Sequence, residues 1–112
     1  MNKIEINIGL NTDDNTEPKG QLARSLYELT YLGFVSNVKV ERGEYNGNPE
    51  RTLVATIERQ NIGDLHEQIV EATTRLKQQC IAYKLNGDGI IAFNPTFSGE
   101  EISFNPQYFI TL

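Results

Sequence analysis

A chain of 112 residues with 38% hydrophobic and 22% charged content has enough apolar surface for one core, and its length is that of a single domain. Its one cysteine, Cys80, and one histidine, His66, exclude an internal disulfide framework and leave too few soft ligands for a zinc cluster. Net charge is -5, and only acids (Asp88, Glu100, Glu101) follow Lys84, so nucleic acid is not an expected partner.

The first residues, Asn2-Lys3-Ile4-Glu5, alternate rather than forming an apolar leader, and no apolar run reaches the roughly 18 residues of a membrane span. The expected compartment is the cytoplasm, with no membrane association. The only Asn-x-Ser/Thr match, Asn94-Pro95-Thr96, carries the proline that disqualifies it as a glycosylation site.

Ile4, Ile6, Ile8 and Leu10 alternate with Lys3, Glu5, Asn7 and Gly9, the period of a strand with one buried face. Asn11 to Gly20 contains no apolar residue and reads as a surface loop. Leu22, Leu26 and Leu29 then recur at helical spacing, with Arg24, Ser25 and Glu28 on the other side. Gly33 is placed to close this helix in a left-handed conformation, with Phe34 supplying an apolar contact.

Val38 and Val40, then Leu53, Ala55 and Ile57, mark two strands around Tyr45-Asn46-Gly47-Asn48-Pro49, read as a hairpin with a loop broader than two residues. Asp64 and Glu67 have the spacing of a reciprocal N-terminal cap, and Leu65, Ile69, Ala72 and Leu76 set out a second helix to about Cys80. Ile81, Tyr83 and Leu85 form a fourth strand, and Asn86-Gly87-Asp88-Gly89 turns it toward a further extended stretch, Ile90 to Phe93.

The expected fold is therefore α+β: a ferredoxin-like βαββαβ sandwich, with a mainly antiparallel sheet and two helices on one face, plus a C-terminal aromatic β extension. The chain is one domain over 1–112, with the core in 1–94 and the extension in 95–112. Such a plan hosts many unrelated activities, so function must come from a site.

Asp13, Asn15 and Glu17 imitate the first ligand positions of a calcium loop, but Pro18 and Arg24 stand where glycine and a carboxylate are required. No metal and no cofactor are expected. The same loop, through Asn11, Thr12, Lys19 and Arg24, is a candidate site for a small anionic ligand at the start of the first helix. His66 and Cys80 are fourteen positions apart along a helix, roughly 21 Å, too far for a nucleophile-base pair. Arg42, Arg51 and Arg59 interleave with Glu41, Glu44, Glu50 and Glu58 as ion pairs on a solvated face.

Phe97, Phe104, Tyr108 and Phe109 crowd an ending without basic residues, which marks them as interface candidates. The sequence thus leads to a non-catalytic binding module that forms a homo-oligomer and captures a protein partner or small ligand. The alternatives are an inhibitor covering another protein's active surface, and a small enzyme using Asp13, Asp14 or Glu17 at a subunit boundary.

Overall fold

The protein is described by a computed structural model over residues 1–12 and 14–96. In chain order the elements are β1 (Asn2–Gly9), α1 (Gln21–Leu32), β2 (Phe34–Tyr45), β3 (Asn48–Arg59), α2 (Leu65–Leu76), β4 (Cys80–Leu85) and β5 (Asp88–Phe93). The strands make one five-stranded sheet in the order β2-β3-β1-β4-β5, with antiparallel pairing at every step. This is an α+β fold compatible with the ferredoxin-like plan, with β5 as a strand more than the six-element order. The C-terminal residues Phe97, Phe104, Tyr108 and Phe109 lie outside the described residues, as does Asp13. No helix among the described residues is long and apolar enough to cross a membrane.

β1 sits mid-sheet, with Ile6 opposite Ala55 on β3 and Tyr83 on β4. Its alternation sends Ile4, Ile6 and Ile8 into the core beneath the helices, together with Leu53, Ile57, Ile69 and Ile81. α2 buries the set its periodicity marks: Leu65, Ile69, Ala72 and Leu76. It stops earlier than expected, at Leu76, because Lys77 turns left-handed (φ 56°) and the Gln78 amide donates back to the Thr73 carbonyl at 2.9 Å. At the other end Asp64 makes no side-chain capping bond, so the expected reciprocal cap is absent.

α1 departs further. Leu22 and Leu26 are only partly buried, whereas Ser25 and Glu28, expected on the solvent side, are buried with Gln21. The three fall at i, i+4 and i+7 and form a polar seam against α2. Gln21 Nε2 donates to the Leu76 carbonyl at 2.8 Å, Ser25 Oγ donates to the Gln21 carbonyl, and the Arg75 guanidinium donates Nε and Nη2 to the Glu28 carboxylate at 2.8–2.9 Å. Hydrophobic spacing could not mark this face, since Gln21 and Glu28 are compensated by partners on α2 and Ser25 by the preceding turn of its own helix.

Two turn expectations change as well. The β2-β3 hairpin closes on the tightest loop, Asn46-Gly47, both at positive φ (51° and 81°), and Asn86-Gly87 repeats it between β4 and β5. Gly33 is extended (φ 166°, ψ −168°), not left-handed, and Phe34 beyond it is exposed. Glycine is required there by crowding: a Cβ would stand 2.8 Å from the Glu58 carbonyl oxygen, which is backbone fixed in the sheet. Gly33→Ala is expected to destabilise the fold by about 1–3 kcal/mol, seen as a lower urea midpoint at unchanged slope. An unchanged midpoint would show that the helix end can move off β3.

Candidate functional site

Because β1 points its isoleucines inward, Asn7 and Gly9 lie on the sheet face away from the helices. Thr52 is the cross-strand neighbour of Gly9, and Glu50, two residues before it on β3, shares that face. Glu50 is only 8% exposed. Its carboxylate lies flat on Gly9, where a Cβ would meet the carboxyl atoms at 2.7–2.8 Å. The Asn11 amide donates to Glu50 Oε2 at 3.1 Å, and Asn11 Nδ2 donates to the Pro49 carbonyl at 2.9 Å, so the end of β1 wraps the start of β3.

Cys80 begins β4 at the same pole. Burial pushes its thiol up to about 11, with the negative charge of Glu50 adding to the effect. One pleat further along this face of β1, roughly 7 Å from Gly9, Asn7 is also buried, and its Oδ1 has no hydrogen-bond partner among the described residues. Both side chains present acceptors, one carrying a full charge.

A buried amide network backs this pole. Gln78 Nε2 donates to the Asn11 carbonyl at 2.6 Å, and Asn94 Nδ2 donates to the Gln78 carbonyl at 3.0 Å. Asn94 Oδ1 in turn accepts from the Thr96 amide at 2.9 Å, which seats the residues after β5 against the end of α2.

The residues singled out from sequence divide between this pole and its surroundings. Asn11 and Thr12 stand at it. Thr12 joins a self-bonded turn in which Asp14 Oδ1 accepts from the hydroxyls of Thr12 and Thr16, and these bonds, that from Thr16 foremost, hold the Asp14 carboxyl below its usual range. Lys19 and Arg24 are brought together at the start of α1, where Arg24 Nη2 donates to the Lys19 carbonyl and Nε to Gln21 Oε1. That guanidinium therefore serves the helix start. Glu17 pairs with Arg51, whose Nε donates at 2.9 Å and whose guanidinium holds the Glu17 carboxyl below its usual range. The pair ties the loop to β3.

His66 and Cys80 are not brought together: His66 starts α2 on the surface, with Nδ1 2.7 Å from the Tyr83 hydroxyl, and Cys80 follows the helix's far end. Arg59 makes no stripe with Arg42 and Arg51. Its Nη1 donates to the Leu32 carbonyl and Gln68 Oε1, clamping both helices. No group of three or more metal-ligating side chains occurs among the described residues. An open polar groove of about 780 Å³, lined by Lys3, Glu5, Thr56 and Lys84 among others, lies at the opposite end of β1 and contains none of these candidates.

Glu50, Gln78 and Asn94 were missed by sequence reasoning. Nothing in the local sequence separates Glu50 from the exposed Glu44 or the half-buried Glu58, and the available signal was Gly9, a residue without a side chain at the end of an otherwise regular strand.

With a thiol pushed up to about 11, roughly one Cys80 in a thousand is thiolate at pH 8. Alkylation by iodoacetamide at that pH is expected to be at least roughly 100-fold slower than for free cysteine, and to accelerate toward pH 11. A free-thiol rate at pH 8 would place Cys80 in solvent.

No protein-family model matches the chain, and no curated protein matches it. Among solved structures it is similar to a phage SAM lyase in its apo state, with a TM-score of 0.56 and 16% sequence identity over 87% of this chain and 92% of that one. A likeness at this identity is one of fold.

Proposed function

We propose that this protein acts on S-adenosylmethionine (SAM) as a lyase, with Glu50 holding the substrate's α-ammonium group. The observation that carries the reading is the buried Glu50 carboxylate pressed on Gly9, on the sheet face away from the helices. The likeness to a SAM lyase, spread over nearly the full length of both chains, supports the choice of substrate.

The assignment within the substrate follows from charge. When the substrate's own carboxylate displaces the sulfonium, a C–O bond forms as the C–S bond breaks, the electron pair passes to sulfur, and a lactone and a neutral thioether result, so departure needs no proton donor. A protein carboxylate beside the sulfonium would stabilise the ground state over a transition state that is losing its charge. The ammonium keeps its charge throughout. A carboxylate on that group orients the amino-acid portion without opposing the reaction, and burial strengthens the pairing relative to water. Asn7 Oδ1 offers a second acceptor on the same face.

The anionic ligand expected from Asn11, Thr12, Lys19 and Arg24 has less support, because Arg24 is engaged at the helix start and the carboxylate at this pole favours cations. Self-association remains part of the reading. Among the described residues β2 is a twelve-residue edge strand with Val38 and Val40 exposed, and an edge strand of that kind pairs readily with another chain.

Purified protein incubated with SAM is expected to release the neutral adenosyl thioether, seen by chromatography, and Glu50→Gln is expected to cut kcat/KM roughly 100-fold. Binding by calorimetry without turnover would instead favour the non-catalytic module. Neither binding nor turnover at high protein concentration would sink the SAM reading. Light scattering is expected to give a multiple of the single-chain mass, and a single-chain mass at every concentration would remove the self-association.

A further inference from the structure

We infer that Gln78 is a positioning residue for Glu50, acting through the backbone of Asn11; the inference rests on the role proposed for Glu50. The path is short and continuous. Gln78 leaves the end of α2 with its amide fixed to the Thr73 carbonyl at 2.9 Å, and its own carbonyl accepts from Asn94. Its side chain, 5% exposed, reaches across to donate Nε2 to the Asn11 carbonyl at 2.6 Å. The Asn11 amide donates to Glu50 Oε2.

Asn11 lies just past the end of β1, in a loop without regular ladder bonds, so the direction of its amide depends on what holds its peptide units. Within the loop Asn11 Nδ2 reaches the Asn15 carbonyl and the Thr12 amide donates to the Thr16 carbonyl; two contacts tie the segment to the rest of the fold, Asn11 Nδ2 on the Pro49 carbonyl and Gln78 on the Asn11 carbonyl. The first anchors it to the strand that carries Glu50. The second anchors it to the helical layer on the opposite side of the sheet. Gln78 thereby couples the carboxylate on the sheet face away from the helices to the rigid end of α2, and displacement of a gripped group by even an ångström costs rate more than affinity.

The test is a double-mutant cycle on the full chain with SAM as substrate. Gln78→Met keeps length and loses the donor. It is expected to lower kcat about tenfold with KM within about twofold, and to have no further effect on kcat in the Glu50→Gln background, while lowering the melting temperature equally in both. Rate losses that add in the two backgrounds would mean that Gln78 is merely structural and would overturn the inference. A wild-type chain that cleaves no SAM sinks the functional reading separately. The positioning inference is then decided by amide hydrogen exchange: Asn11 is expected to exchange at least tenfold faster in Gln78→Met with Ile6 unchanged, and equal Asn11 protection overturns it. Should Gln78→Met fail to fold, Gln78→Ser, too short to reach Asn11, is judged by the same criteria.

Discussion

β1 has to satisfy two sheet faces at once, and the rest of the structure follows from how it does so. It is hydrogen-bonded on both sides, to β3 and β4, so its backbone has no freedom to adjust. Toward the helices it offers Ile4, Ile6 and Ile8, each 1% exposed or less, and these set the floor of the core. Burying three such side chains contributes several kcal/mol, of order 1.5–3 each. A one-residue slip would turn all three to the other face, so the register is strongly specified. With the register fixed, Asn7 and Gly9 are committed to the face away from the helices. The absence of a side chain at Gly9 leaves room for the Glu50 carboxylate to lie against that strand, where a Cβ would stand 2.7 Å from Oε2.

Polar burial in this protein is concentrated and compensated. Gln21, Ser25 and Glu28 meet α2 in one seam, while Gln78, Asn94 and Asn11 brace the end of β1 in another. Each buried group that lost its partner would cost about 1–3 kcal/mol, so the seams fix relative positions more tightly than apolar contact alone would. Their location matters. Both engage the C-terminal turn of α2, through the carbonyls of Leu76 and Gln78, and thus align the helix pair with the sheet end that carries Glu50.

What the sequence made legible was whatever depended on period and turn chemistry. The isoleucine alternation of β1 and the apolar set of α2 read directly into their elements, and the Asn-Gly pairs marked both turns, although the β2-β3 loop proved tighter than its flanking residues suggested. The misses share one cause. Glu28, Glu50 and Asn94 are polar residues buried with partners far away in sequence, and periodicity of hydrophobic residues carries no information about them. Gly33 was read as a backbone conformation when it answers to a neighbour, the Glu58 carbonyl, that only the folded sheet supplies. The candidate site was the least legible part, because Glu50 stands in a hairpin where Glu41 and Glu44 are exposed and Glu58 is half-buried, and its contact with Gly9 is what distinguishes it.

Burying a carboxylate works against stability, and a polar side chain at Glu50's position would serve the sheet at lower desolvation cost. Glu17 and Asp14 show how the same chain handles carboxylates that serve structure: one is paired with Arg51 near the surface, the other accepts hydroxyl and amide bonds in an exposed turn. Glu50 differs in being buried, with its carboxylate against Gly9. Its charge stands beside a thiol that it pushes toward the neutral form and a buried amide oxygen that adds a second acceptor. Local rules broken together, at one end of a sheet whose other rules hold, are where function is expected to reside, and a carboxylate grouped with a buried amide oxygen favours a ligand that brings positive charge and N–H groups with it.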